Sequence, residues 1–479
     1  MTGKEVEMGS GNESPLEQIF NPRSIAVFGA SEKLTTMGTY QLMNLRGSGY
    51  PGKIYPIHPK LAEIQGLQAY QSVADLAEVP ELALVTINAE SAIRVFEELG
   101  KAGVKRAIVI SGGFKEVGAE GRKREQELAE VAKKYGIRFV GPNCIGIINP
   151  WYPLNLTMYP YRMKPGAIGL ASHSGTYVTQ SLVYLEKFGI KYAKAVSLGN
   201  EANIDIVDAI EYFGEDEKIK AIALYIEGIR RPREFLAAAK NAGAKKPLVA
   251  VYVGGTVAGA RSGSSHTGAM AGADEIYEAV FKQAGIIRAP DVQSLFEWSF
   301  TLAHQPRLKG NRIAVCTNAG GPATSLADAL ERAGFIVPEF SPALQDQIKK
   351  MVPPTGSAKN PVDMTYSIDL EAPYLKIPLL ILESGEVDGM VIHGIGGGSW
   401  YQGLSEQQTG NFQFPLEEMS LWCDTVFQKL AKIPETTGKP IVTSSFAGRE
   451  DSAVALVQDL GLPCFPTPER AVLAMAKLR

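Results

Sequence analysis

Cysteine is scarce in this chain of 479 residues: Cys144, Cys316, Cys423 and Cys464 stand far apart and form no CxxC pair. That excludes a disulfide framework and cysteine-based metal spacing, so no metal site is expected, and a reducing cytoplasm is the expected compartment. Charge of one sign is not in excess either. Lys and Arg number 48 against 51 Asp and Glu, a net charge of −3 without long like-charged runs. This argues against nucleic acid or an acidic membrane surface as the main partner. No apolar run reaches the ~18 residues that a bilayer span requires. Residues 1–17 are polar, include acidic side chains and lack an apolar signal region, so a disordered tail is expected there. Two signature loops are also missing. There is no GxGxxG after the first strand, and no GxSxG elbow of the kind that exposes a nucleophilic serine.

Apolar residues and glycine are plentiful. Hydrophobic residues make up 45% of the chain and glycines number 49, many directly after apolar runs. The cores are therefore sizeable and global disorder is excluded. At roughly 150 residues per domain the length predicts about three domains. Strand-like runs alternate with helical patterns from Ser24 onwards, the rhythm of α/β domains with parallel sheets. Such runs lie at 24–29, 53–57, 82–87, 106–110 and 138–140, then at 167–171, 192–197, 221–226 and 247–253, then at 312–317, 390–393, 440–444 and 463–465. Turn-rich segments at 159–166 and 304–311 separate the blocks. The second and third blocks open alike, with a strand, a Gly/Ser-rich turn and a helix. The expected fold is a Rossmann-like domain over 18–158 followed by two flavodoxin-like domains, over 166–303 and 311–479.

Three segments carry chemistry. Phe28-Gly29-Ala30-Ser31 closes a strand and leads towards a helix expected around 37–45; a glycine turn and helix N–H groups favour an anion. The second strand ends in His58-Pro59-Lys60 and not in an acidic residue, which opposes a ribose-binding NAD site. A phosphate-containing ligand such as CoA fits better, with Lys53 as a point charge; an ordinary tight turn with a solvated Lys53 also fits. The second segment, Ser172-His173-Ser174-Gly175-Thr176, follows a strand in the same way. It reads as an anion nest or as a plain helix cap; Asn318–Pro322 has the same placement in the third block. The third segment is the Gly/Ser run 259–268 around His266, one of only five histidines. Its neighbours are too small to pack an imidazole, so His266 is either an inconsequential loop residue or a mobile nucleophile that accepts a phosphoryl group. A phosphoryl-accepting histidine needs a carboxylate partner, and Glu227, ending the run 221–226, is placed for it.

Together these segments resemble the alpha chain of NDP-forming (ADP-forming) acyl-CoA synthetases, relatives of succinyl-CoA synthetase. The resemblance runs from about Leu16 to Lys477 through Phe28–Ser31, Gly52-Lys53, Ser111–Glu116, Gly141–Cys144, Ser197–Asn200, Tyr225–Gly228, Ser265–Gly268, Thr317–Pro322 and Asn360–Asp363. It implies that the first domain binds CoA through Gly29, Ala30, Ser31, Lys53, Ser111 and Asn143. It implies an acyl phosphate held by Ser172, His173, Ser174 and Gly175, a phosphoryl group carried by His266, and orientation of His266 by Glu227. A separate ATP-grasp beta subunit holding ADP or ATP with Mg²⁺ follows, in a hetero-oligomer of α2β2 type acting on a small carboxylic acid or acyl-CoA. The chain departs from the family at Tyr252, Gly255 and Val257, where lysine, arginine and an acidic residue are usual. It departs again at His58-Pro59 in place of Asn-Pro, and at Ile87-Asn88 in place of Val-Pro. The rival readings are a non-catalytic CoA-binding scaffold and, further off, a Rossmann NAD(P) oxidoreductase.

Overall fold

The computed structural model describes residues 14–162, 164–259, 261, 272–365, 367, 369–407 and 413–479. They form two compact units, one holding residues up to Leu182 with Tyr192–Arg288, the other Val183–Lys191 with Ala289–Arg479. His266 lies outside the described residues. Among the described residues no helix is long and apolar enough to cross a membrane, and all four cysteines are buried and unpaired.

The first unit contains two sheets. One has five parallel strands in the order Lys53–Ile57, Ser24–Phe28, Leu82–Val85, Arg106–Val109, Arg138–Val140. After their first residues its central strands are apolar because both faces are covered. Ile25, Val27, Leu82, Leu84 and Ile108 point into one core, and Ala26, Phe28, Ala83, Val85 and Ala107 into another. The second sheet has seven strands, of which Tyr192–Ser197, Ile168–Ser172, Ala221–Ile226, Leu248–Tyr252 and Ile287–Arg288 run parallel. Its remaining two, Ile147–Asn149 and Leu154–Asn155, add on antiparallel beside Tyr192–Ser197. These short strands come from the stretch expected to end the first domain, and are too short for an alternation signal. The second unit carries a five-stranded parallel sheet ordered Val362–Asp363, Ile313–Thr317, Gly389–His393, Ile441–Ser444, Cys464–Phe465.

Numbered within its own block, every parallel set runs 2-1-3-4-5. Strands one and three are neighbours whose connections leave to opposite sides, which opens a crevice beyond their C-terminal ends. Each of the three crevices holds a cavity.

Of the stretch 1–17 expected as a disordered tail, residues 1–13 lie outside the described residues and 14–17 belong to an ordered element. Pro15–Phe20 is a helix with Ser14 as its N-cap and proline in its first turn, the arrangement that starts helices well. Leu16, Ile19 and Phe20 are fully buried, so this short element is anchored by its apolar face.

At the first crevice Gly29 has φ +94° and Gly38, in the first turn of Met37–Gly47, packs against it. A Cβ at Gly38 would stand 2.4 Å from Thr86 Oγ1 and 2.6 Å from the Gly29 carbonyl oxygen. Glycine to alanine in an open helix gains about 1 kcal/mol. Here the backbone clash reverses the sign: Gly38→Ala is expected to lower the denaturation midpoint, measured by urea unfolding followed by circular dichroism.

Candidate functional site

The first crevice, about 520 Å³, is lined by Gly29, Ala30, Ser31 and Lys33 after strand one and by Ile87 and Asn88 after strand three. The Thr39 hydroxyl clamps Ser31, accepting its N–H at 3.2 Å and donating to its carbonyl at 2.8 Å. Both departures from the family pattern at this rim have local explanations. His58 Nδ1 accepts the N–H groups of Lys60 and Leu61, each at 3.1 Å, the turn-closing work an asparagine side chain does. Asn88 caps the helix Ala89–Ala102 by accepting from Ser91 N at 2.9 Å.

Lys53 is not part of this group. The register pairs Lys53 with Ser24 and Ile57 with Phe28, so Lys53 begins its strand at the sheet edge opposite Gly29. Its ammonium lies 2.7 Å from Glu78, which also accepts from Tyr55. Lys33 is the cation that lines the crevice. Ser111 and Asn143 follow the next two strands in turn: Asn143 N donates to the Ser111 carbonyl at 2.9 Å, and the Ser111 hydroxyl donates to the carbonyl of Ile87.

The second crevice, about 650 Å³, brings together groups from both sheets of the first unit: Lys115, Glu125, His173, Asn200, Glu201, Glu227 and Arg230 among others. His173 is buried with both ring nitrogens engaged. Nδ1 accepts the backbone N–H of Glu227 at 3.0 Å, and Nε2 lies 2.9 Å from Glu201 Oε1. The acceptor role of Nδ1 places the ring proton on Nε2, facing the carboxylate. Burial pulls the pKa of His173 down, but Glu201 and Glu227 outweigh it and the net shift is upward. Glu201 also accepts from Ile206 N at 2.7 Å. Lys115 is held below the usual lysine range by burial; its ammonium donates to the Asn200 carbonyl at 2.6 Å.

Asn200 joins the rest. Its amide nitrogen donates to Glu116 at 2.7 Å and Glu125 at 2.8 Å, and its amide oxygen accepts from Asn143 at 3.2 Å. The neighbouring loop 172–175 is less open than its sequence suggests. Ser172 is fully buried and its hydroxyl donates to the Ser174 carbonyl at 2.7 Å. The helix that follows, Thr176–Thr179, is only four residues long. Its dipole is correspondingly small, and the cations Lys115, Arg122 and Arg230 supply the positive field of this crevice instead.

Lys115, Asn200, Glu201 and Arg230 were not singled out from sequence. The strings Ser111–Glu116 and Ser197–Asn200 marked the neighbourhood, without indicating that two sheets meet there. Of the family departures before the histidine loop, Tyr252 is buried, stacks on Tyr277 at 3.5 Å between ring centres and donates to the Gly272 carbonyl at 2.9 Å. Gly255 lies against Asp274, and Val257 is exposed.

The accounting at Asn200 leads to a test. Asn200→Asp would replace a double donor by a third carboxylate among two, a cost of roughly 3–5 kcal/mol for uncompensated buried charge. Crowding raises the new carboxyl's pKa in the folded state, so the destabilisation grows as pH rises and shrinks as the group protonates in acid. Urea unfolding at several pH values is expected to show that trend relative to the unsubstituted chain.

Three family models match: a CoA binding domain over residues 23–150, a succinyl-CoA ligase like flavodoxin domain over 165–302, and a Ligase-CoA domain over 313–395. The chain is 34% identical to the alpha subunit of acetate–CoA ligase [ADP-forming] I of Pyrococcus furiosus, over 97% of each chain. It is also 34% identical to acetate–CoA ligase [ADP-forming] I of Archaeoglobus fulgidus, covering 97% of this chain and 63% of that longer one. Among solved structures it is similar to the dinucleotide-forming acetyl-coenzyme A synthetase 1 of Ca. Korarchaeum cryptofilum, in complex with phosphate and ADP. The TM-score there is 0.83 and the identity 34%, with 97% of this chain and 96% of that one covered. Likeness of this degree along whole subunits, on top of the matching domain models, makes the chain a member of the NDP-forming acyl-CoA synthetase family.

Proposed function

We propose that the chain is the alpha subunit of an ADP-forming acyl-CoA ligase that interconverts acyl-CoA, phosphate and ADP with carboxylic acid, CoA and ATP. The observation that carries the reading is the second crevice, where His173 and two glutamates are locked together beside Lys115 and Arg230. Three cations at its wall suit inorganic phosphate and the phosphoryl group of an acyl phosphate, and buried, pre-paired carboxylates cost no reorganisation when charge develops.

CoA would occupy the first crevice, where Gly29, Ala30 and Ser31 line the wall and Lys33 meets its phosphates; Ser111 and Asn143 lie towards the second crevice, on the path of the reacting thioester. A phosphate oxygen attacks the thioester carbonyl, the C–S bond breaks, and CoA leaves as the thiol after taking a proton. A His266 nitrogen then takes the phosphoryl group from the acyl phosphate, and the carboxylate departs. Finally the phosphoryl group passes to ADP, which with Mg²⁺ belongs to a separate ATP-grasp beta subunit in an α2β2 hetero-oligomer. The Archaeoglobus relative extends beyond the match, so its length leaves room for a further module.

Glu227 orients His266 and stabilises its cationic form. His173, with both nitrogens engaged, is a positioning residue: it holds the Glu227 backbone so that the carboxylate presents correctly. Ser174 and Gly175 face the acyl phosphate, and Ser172 shapes their loop.

Incubation with acetyl-CoA and labelled phosphate is expected to give an acid-labile, base-stable label on His266. His266→Ala abolishes it, and Glu227→Gln lowers the labelling rate by about 10²-fold or more. A label that survives in His266→Ala overturns the assignment. For CoA, calorimetry is expected to show that Lys33→Ala weakens binding by about tenfold, the worth of a charge-assisted contact. Lys53→Ala, at the far edge and paired with Glu78, changes binding by less than about twofold.

A further inference from the structure

In one direction of the proposed reaction the departing CoA sulfur needs a proton, and in the other the CoA thiol must lose one. The group that carries it must stand where the first crevice gives way to the second. One loop joins the two. It starts at Ser111, whose hydroxyl donates to the carbonyl of Ile87 on the wall of the first crevice, and it reaches Lys115, which lines the second. Between them the Gly112 backbone passes the Asn143 side chain, whose Oδ1 a Cβ on that glycine would meet at 3.6 Å. A pantetheine arm laid from the first crevice into the second would run along this loop and end at Lys115.

Few of the charged groups around Lys115 can exchange a proton with a thiol. Arg122 and Arg230 line the same crevice but stay protonated at any working pH, and Arg230 donates to the Glu201 carbonyl. His173 has both nitrogens occupied, one by the Glu227 N–H and the other by Glu201. Glu201 also accepts from Ile206 N, and Glu125 accepts from Asn200 at 2.8 Å. Burial pulls the Glu116 carboxyl up, but hydrogen bonds from Asn200, Gly113 N and Phe114 N outweigh it and hold it below the usual carboxylate range. Glu227 serves His266 in the proposed reaction.

Lys115 is placed differently. It is half-buried, and its ammonium has one hydrogen-bond partner among the described residues, the Asn200 carbonyl at 2.6 Å. Two of its three donors are left for the crevice. Burial lowers its pKa; Arg230 adds to the shift, while Glu125, Glu201 and Glu116 oppose it. The net movement is towards the range of a thiol.

We propose that Lys115 is the general acid and base of the thioester step, an assignment that rests on the ligase reading above. A phosphate oxygen bonds to the thioester carbonyl carbon, and the C–S bond breaks with its electron pair on sulfur. Lys115 Nζ–H passes its proton to that sulfur, so CoA leaves as the thiol and the amine is neutral. The amine then takes the proton that hydrogen phosphate brought in, which leaves the acyl phosphate fully ionised. In the reverse direction the neutral amine takes the thiol proton as sulfur attacks the acyl carbon, and returns it to the departing phosphate.

Labelling of His266 in the full chain from two donors separates this role from that of a plain cation. Acetyl-CoA with labelled phosphate requires the thioester step, whereas labelled acetyl phosphate enters after it. Lys115→Met is expected to slow labelling from acetyl-CoA by about 10²-fold or more. From acetyl phosphate the loss is only about tenfold, the worth of one charge-assisted contact. Lys115→Arg keeps the cation but holds its proton, so it is expected to recover most of the acetyl phosphate rate and none of the acetyl-CoA rate. Lys115→Cys alkylated with 2-bromoethylamine regains an amine, and with it the acetyl-CoA rate; the four native cysteines are buried and react slowly. Where the amine is present, the acetyl-CoA rate falls as pH rises through its pKa, because the acid form is lost; in Lys115→Met that limb is absent. Equal losses from both donors in Lys115→Met, or an acetyl-CoA rate restored by Lys115→Arg, overturns the proposal. No label from either donor in the unsubstituted chain overturns the ligase reading, and the proposal with it.

Discussion

Buried charge tolerates no vacancy, and that constraint organises the middle of the first unit. Buried Glu125, Glu201, Glu227 and His173 converge with half-buried Lys115 and Glu116 where two sheets meet, and exposed Arg230 stands at the rim. Removing such groups from water costs several kcal/mol each unless partners replace the solvent. Asn200 is the piece that closes the account, because one uncharged amide gives two donors to carboxylates and one acceptor to Asn143. A serine there would be too short to reach both, and a lysine has no acceptor to offer Asn143. The proposed catalytic role of this crevice rests on that prior structural requirement, that its groups satisfy one another in the folded chain.

Much of the fold was legible because doubly covered parallel strands are apolar runs punctuated by glycine, and those runs stand out between amphipathic helices. Nearly all the long strands lie where the runs do. What escaped were two- and three-residue strands such as Ile147–Asn149 and Leu154–Asn155, which carry too few residues to show a period. Their antiparallel attachment to a later sheet is a long-range fact with no local signature. The helix Pro15–Phe20 was hidden for a related reason: six residues with one apolar face look like tail until a partner surface is known.

The site was legible by motif but not by direction. A strand pattern says that Lys53 and Gly29 belong to neighbouring strands; it does not say that one is at the start and the other beyond the end. Chain polarity in a parallel sheet decides it, and places Lys53 some four residues' rise, about 13 Å, from the crevice edge. His173 is the converse case. Its neighbours suggested an open anion loop, whereas the fold turns both nitrogens inward, a role that only the spatial proximity of Glu201 and the Glu227 backbone reveals.

The helix Pro15–Phe20 also determines how the first unit can move. Leu16, Ile19 and Phe20 share one continuous core with residues of both sheets. The Phe20 carbonyl accepts from Asn149 at 3.0 Å, and Glu17 accepts from Tyr212 at 2.7 Å. Across the same seam Arg138 reaches Asn203 at 2.8 Å and Asp208 at 3.2 Å. A seam filled in this way acts as a weld and not as a hinge, since opening it would expose apolar surface and break four polar ties at once. The crevice between the two sheets therefore keeps its width whether or not anything is bound, and traffic through it falls to loops at its rim while the walls stay still.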